Sequence, residues 1–420
     1  MARSTARTIV GIGALATASA LVLTGCGSGF SDSGGGDAGS GELTSSDDAL
    51  TILIGSSGDA ETDAVNEAVA AWSAESGVDA EVVAASDLSQ ELSQGFAAGS
   101  PPDLFYLAPE ALAGYASNGS LTPYGDLLSN KDDFYPSLVS NFTYEDEFYC
   151  APKDFSTLGL IINTRLWDAA GLTEADIPTT WDELASVAQT LTTDGVTGLA
   201  FGAEYQRVGA FIAQAGGALV SDDGTEATAD SPENVEALTY VKDQLAAGSF
   251  GYATIDLGAG WGGEAFGKEQ AAMVIEGNWI TGAMENDFPG VEYIVAELPA
   301  GPAGQGTLQF TNCWGMAADS PNQEAALDLV EYLTSTEQVL AFSDAFGPMP
   351  PVESAADQWT ADNPELSAFL AAADYAQGVP TNDGIAAVIS DFNAALENLK
   401  ADDPQQILET VQSNTEAVVG

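Results

Sequence analysis

The chain has 420 residues, 63 of them acidic, 9 basic and none histidine, for a formal net charge of −54. Such a field repels nucleic acid and anionic lipid head groups and disfavours a phosphorylated ligand. Without imidazole there is no Ser-His-Asp or Cys-His triad and no His-containing metal site, and no motif calls for a metal or a cofactor. Hydrophobic residues make up 45%, and the length exceeds what one core serves, so two lobes are expected. The acidity itself reads as solvation, or as adaptation to salty surroundings.

Arg3 and Arg7 precede an apolar run, Thr8 to Leu23, that is short for a membrane span. It ends in Leu23-Thr24-Gly25-Cys26, which looks like a bacterial lipobox. Residues 1–25 are therefore expected to be a lipoprotein signal peptide, with a lipid anchor on Cys26 holding the protein at the outer face of the cell membrane. Residues 26–48, mostly Gly, Ser and Asp, are expected to be a flexible tether.

From Leu50 the pattern is βαβ. Leu50 to Ile54 is a short strand; Val65, Val69 and Trp72 then share one helical face, and Gly77 is placed as a stop. Val78 to Ala84 is a second strand, Leu88, Leu92 and Phe96 mark a second helix, and Asp103 to Leu107 is a third strand opening on a crevice. Tyr149 and Cys150 end an extended segment that Pro152 breaks, and Thr157 to Ile162 reads as a strand buried on both faces. Thr180 and Glu183 form a capping box for a helix from Trp181 to about Leu191. Gly198 to Ala203 is a strand, Glu204 to Arg207 the loop leaving it, and Leu219 to Ala229 a hairpin on its Asp-Gly signal. Ser231-Pro232 opens the next helix. Gly258 to Gly263 satisfies G-x-G-x-x-G, but no buried strand precedes it, so a loop is expected there. Ala271 to Ile280 is a buried strand delivering Glu276, Asn278 and Trp279. Phe310 to Met316 is a return strand, and the remainder is mostly helical.

The segment C-A-P-K-D-F-S-T-L-G-L followed by P-T-T-W-D-E-L resembles the crossover into the second lobe of the maltose-binding-protein-like solute receptors of ATP-binding-cassette importers. P-D-L-F-Y and A-M-V-I-E-G-N-W match the same family in the same order, so the resemblance spans nearly the whole chain after the tether. It implies an α/β, periplasmic-binding-protein-like type II fold: two discontinuous lobes around a ligand cleft, joined by hinge strands. The N-terminal lobe would hold residues 49–150 and 314–360, and the C-terminal lobe 151–313 and 361–420. It further implies capture of a neutral carbohydrate, a disaccharide or short oligosaccharide, by lobe closure and delivery to a membrane permease driven by a separate ATPase chain.

A sugar offers flat C–H faces and a ring of hydroxyls, which aromatic and charged or amide side chains respectively match. The candidates for stacking are Tyr106, Tyr205, Trp261, Trp279 and Trp314; for the hydroxyls, Ser57, Asp59, Glu110, Lys153, Asp154, Arg207, Glu276 and Asn278. Trp72, Trp167 and Trp181 fall at core or cap positions and are left out. Leu107-Ala-Pro-Glu-Ala111 stands where maltose-binding receptors have Trp-Ala-His-Asp-Arg, which argues against a long malto-oligosaccharide. In the resembling fold the two crossover segments run side by side, which implies a Cys150–Cys313 disulfide at the hinge. Two other readings are a secreted glycoside hydrolase using two carboxylates, and the same fold holding a polyamine, peptide or osmolyte. With 63 acidic residues a carboxylate pair can always be found, so composition gives the hydrolase no weight.

Overall fold

A computed structural model of the chain describes residues 43–221 and 223–419. The expected signal peptide, Cys26 and most of the tether lie outside those residues. The end of the expected tether does not hang free: the backbone N–H of Thr44 donates to Gln323 Oε1 at 3.1 Å, and its carbonyl accepts from Glu324 N at 3.0 Å. Asn322 Nδ2 donates to the carbonyl of Asp48 at 3.1 Å. Backbone groups left over at the start of the helix Gln323–Leu333 thus find partners in residues 44–48.

Strands β1 (Leu50–Ile54), β2 (Ala80–Ala84) and β3 (Leu104–Leu107) alternate with the helices Asp59–Ser76 and Leu88–Ala98. The hairpin β4 (Thr143–Tyr144) and β5 (Glu147–Phe148) stands apart from the main sheet. Then come β6 (Pro152–Asn163), β7 (Thr197–Phe201), β8 (Phe250–Tyr252), β9 (Ala271–Gly277), β10 (Tyr293–Ala296), β11 (Thr307–Met316) and β12 (Ala376–Gln377). The main sheet runs β2-β1-β3-β11-β6-β9-β7-β8, with β10 on β6 and β12 on β11. Its two ends are parallel, β2-β1-β3 on one side and β9-β7-β8 on the other, as helix crossovers require. Between them β11 and β6 run antiparallel to each other, and β11 is also antiparallel to β3. These two long strands carry the chain from one half to the other.

Two hydrophobic cores follow from that path. One draws on residues between Leu50 and Ala151 and again between Cys313 and Ala355; the other on Leu158 to Leu308 and again Ile385 to Val411. A third cluster, with Phe155, Met349 and Trp359, lies with the crossing strands. Each lobe is therefore discontinuous, and the two are joined through β6 and β11. The crossover helix Trp181–Leu191 packs so closely that a Cβ on Gly198 of β7 would sit 1.9 Å from the Ala188 carbonyl oxygen, so only glycine fits there.

Three local expectations are corrected. Pro152 does not break the chain but opens β6, a first-strand position where the missing N–H costs nothing. Thr180 caps its helix by accepting from Glu183 N at 3.3 Å, but the Glu183 carboxylate reaches one residue further, to Thr179 N at 2.8 Å and Oγ1 at 2.7 Å. Glu204–Arg207 is not a loop. A helix, Tyr205–Ala215, starts there, and that shift decides where two candidate site residues point.

Candidate functional site

Strand β9 ends at Gly277, so Asn278 and Trp279 occupy the turn before the helix Ile280–Asn286 rather than the strand itself. Just before them, Glu276 is 1% exposed, and a charge so deep needs partners. One of its oxygens, Oε2, accepts from Arg207 Nη2 at 2.7 Å, from Arg207 Nε at 3.2 Å and from the Trp279 indole N–H at 3.1 Å. Burial still holds its carboxyl above the ordinary glutamate value, against the pull of Arg207. The Arg207 guanidinium also lies 5.1 Å from the Trp279 ring centroid, and Phe310 meets that ring edge-on at 5.5 Å. Trp279 is thus held by its N–H, by Arg207 over its ring and by Phe310, yet remains 38% exposed. A Cβ on Gly277 would fall 2.2 Å from the indole, so this glycine is a condition of the tryptophan's position.

Opposite stands a second buried ionic group. Lys153, near the start of β6, places its ammonium 3.1 Å from Glu61 Oε1, beside the Asp154 carboxylate and 4.4 Å from the Tyr106 ring centroid. The other Glu61 oxygen accepts from Ser57 N and Ser57 Oγ, both at 2.7 Å. Burial pushes Glu61 up, but Lys153 and Ser57 outweigh it and hold it below the ordinary glutamate value. Burial dominates at Asp154 and raises it; Asp154 and Glu61 together hold the Lys153 ammonium above the usual lysine value despite burial.

Two hollows lie between these groups. One, of ≈300 Å³, is lined by Glu110, Asn141, Asp154, Trp279, Gln309 and Asn312. The other, of ≈240 Å³, has Ser57, Glu61, Lys153 and Asn278, and shares Asp154 and Trp279 with the first. Their common floor is the crossing pair itself, where Asp154 of β6 is in register with Asn312 of β11. Larger hollows of ≈600 Å³ beside Trp181 and Tyr240 and ≈840 Å³ beside Lys131 and Glu145 contain none of the expected site residues, so size does not locate the chemistry.

A model of the family described as bacterial extracellular solute-binding protein matches residues 58–340, well over half of the chain. The chain belongs to this family. A putative binding protein of Brucella abortus (strain 2308) is 23% identical over 356 residues, covering 81% of this chain and 85% of the relative. Among solved structures, the cyclic alpha-maltosyl-1,6-maltose binding protein of Arthrobacter globiformis is 24% identical, with a TM-score of 0.78 and coverage of 88% and 98% of the two chains. The sugar-binding protein MalE of Xanthomonas citri, at 17% identity, has a TM-score of 0.79 and coverage of 88% and 97%. These likenesses show the type II periplasmic-binding-protein fold that the crossover motifs imply.

Within this solute-binding fold the expected site residues separate into two groups. Ser57, Glu110, Lys153, Asp154, Asn278 and Trp279 line the two hollows, with Arg207 and Glu276 behind Trp279. The rest are placed elsewhere, each for a local reason. Tyr205, first residue of its helix, is 3% exposed and packs on Phe392 at 6.1 Å in the C-terminal core. Trp314, 1% exposed, meets Tyr106 edge-on at 4.9 Å beneath Lys153; both rings support the cleft and neither offers it a face. Trp261 folds over Gly263 and lines neither hollow, and Asp59 is exposed at the start of its helix.

Glu61, Asn141, Gln309 and Asn312 were not expected. Glu61 carried a signal: Ser57 and a glutamate four residues on, across a helix start, is a capping arrangement that buries the carboxylate. The others carry none, because their place in the cleft depends on which strands cross.

Proposed function

We propose that the protein captures a carbohydrate, a disaccharide or short oligosaccharide, between its two lobes and hands it to a membrane permease. The observation that carries this reading is Trp279: a half-exposed indole, locked by Glu276 and Arg207, standing over a polar floor of Asp154 and Asn312. A partly exposed aromatic ring beside fixed acceptors and donors matches a sugar ring, with C–H groups on its face and hydroxyls on its edge. The relatives of known ligand support it, since their names state maltodextrin-type or cyclic saccharides. Lys153, Asp154, Glu110 and Asn278 would hold hydroxyls, and Ser57 and Glu61 would fix Lys153. The lobe division at the crossing strands, 49–150 with 314–360 against 151–313 with 361–420, a lipid anchor on Cys26 and an energising ATPase on a separate chain complete the proposal.

A hydrolytic reading needs one carboxylic acid free to give a proton and one free base. The buried carboxylates at this cleft, Glu61, Asp154 and Glu276, are instead tied to Lys153 and Arg207, an arrangement for holding rather than reacting. The test is calorimetric and thermal-shift titration of the purified protein with mono-, di- and oligosaccharides. At least one saccharide should raise the melting temperature and bind with measurable heat. A rise with an osmolyte or peptide but with no saccharide would overturn the ligand class, and glycoside turnover would overturn the binding role.

A further inference from the structure

The hollow of ≈300 Å³ beside Trp279 is lined by polar side chains that the protein itself leaves unused. Asn141, last residue of the helix Pro136–Asn141, is only 8% exposed, yet its side-chain amide pairs with no group among the described residues. Asn312 lends its backbone carbonyl to Thr311 Oγ1 at 3.2 Å, but its amide too is without a partner among those residues. Gln309, another amide at this hollow, shows the contrast. Its Oε1 accepts from Ser137 Oγ at 3.1 Å, and its Nε2 donates to the Ser137 carbonyl at 2.9 Å.

Burying an amide without a partner is unfavourable, and native folds seldom do so unless something else completes it. Both unpaired amides line the hollow, where an occupant can reach them. Their surroundings also fix their place. Asn312 is in register with Asp154 across the crossing strands, and Phe310, two residues before it, faces the same way and meets Trp279. Gly378, just after β12, passes so close to Asn141 that a Cβ there would lie 2.0 Å from its Oδ1.

A primary amide presents donors and an acceptor together. Two neighbouring hydroxyls on a sugar ring do the same, so one amide can engage such a pair at two points. An ammonium only donates and a carboxylate only accepts, and either leaves half of the amide unmatched. We propose that Asn141 and Asn312 determine specificity: beside Trp279 they hold one neutral ring, whose hydroxyls complete both amides. The statement rests on the carbohydrate reading above. It goes beyond that reading by naming the two residues and by excluding a charged ring from this hollow.

Titration calorimetry and thermal melting on the wild type and on N141A, N312A and G378A test it. The probes are maltose, cellobiose, maltotriose and the glucosamine β-1,4-dimer, titrated at ~0.5 M sodium chloride so that the net charge of the protein is screened. At least one neutral saccharide should bind the wild type. N141A and N312A should each weaken it about tenfold or more. The melting temperature of neither variant should fall, because no bond within the protein is lost. G378A, which keeps the Asn141 amide but crowds it, should reproduce the loss seen in N141A. Unchanged affinity in N141A and N312A overturns the proposal. So does a loss of affinity matched by a fall in melting temperature, which would make the amides structural, and so does tighter binding of the glucosamine dimer than of cellobiose. If none of the neutral saccharides binds, the carbohydrate reading fails while the melting temperatures still decide the amides. Unchanged or raised values then keep them as ligand-facing groups, and lowered values overturn that assignment as well.

Discussion

Seven tryptophans of similar composition do different work because of what surrounds each ring. Trp279 and Trp72 make the contrast sharpest. Both donate their indole N–H to a carboxylate, Glu276 at 3.1 Å and Asp328 at 2.8 Å, but Trp72 is 3% exposed inside the N-terminal core. Trp279→Ala should therefore cost ~2 kcal/mol or more of saccharide affinity, a stacking face lost, with little loss of stability. Trp72→Ala should cost ~3–5 kcal/mol of stability through the cavity it leaves, with affinity unchanged once folding is matched. Titration calorimetry and chemical denaturation on both variants check this; equal losses of affinity would remove Trp279 from the cleft. Which tryptophan is which was partly legible beforehand. Trp72 sits at i+7 of an apolar face, and Trp279 follows a buried strand, so periodicity separates them. Trp314 was misjudged because a strand residue's face depends on its partner, and only the pairing of Trp314 with Tyr106 in β3 shows that it points into the core.

At the scale of elements, the crossing strands matter most. Cys150 and Cys313 are joined at a Cα–Cα distance of 5.7 Å, immediately before β6 and within β11, 163 residues apart in sequence. Neither lines the two cleft hollows. In the chain-entropy model a loop of that length is worth about 5 kcal/mol, drawn from the unfolded state rather than from the native contacts. Reduction, or the pair Cys150→Ser with Cys313→Ser, should lower the unfolding free energy by an amount of that order and leave ligand affinity within a factor of about 2. Denaturation curves and titrations with and without reductant measure both. The strands, caps and stops of this region were readable from Gly77, Thr180 and Ser231, whose chemistry is local. The start of the helix at Tyr205 was not, because no capping side chain marks it: Glu204 makes no cap hydrogen bond there. Its position is fixed instead by packing on Phe392 and by Asn393, whose Oδ1 accepts from Tyr205 N at 2.7 Å.

For the whole molecule, charge is the dominant fact. The described cations are taken up one by one, Lys131 by Asp126, Arg165 by Glu269, Lys268 by Glu264, Lys400 by Asp256, and Lys242 by the Asp402 carbonyl. Among the described residues most acidic side chains therefore have no cationic partner. Self-repulsion of this kind works against the compact state and is screened by salt. Raising sodium chloride from low concentration to ~0.5 M should lift the melting temperature by about 2–3 °C, a gain of roughly 2 kcal/mol for a chain of this size. Differential scanning calorimetry across a salt series tests it, and a flat or falling profile would mean that the acidic groups are too dispersed to matter.

The path of the crossing strands also sets an order of events in the making of the protein. Strand β3 has β1 on one side and, on the other, only β11, which is synthesised after the whole of β6 to β10. A nascent N-terminal lobe must therefore wait with one sheet edge bare, and a bare edge is a template for pairing with the wrong chain. The C-terminal lobe waits longer still, for Ile385 to Val411 to close its core. A chain cut short near its middle would consist of two unfinished lobes, with no finished one to survive as a fragment.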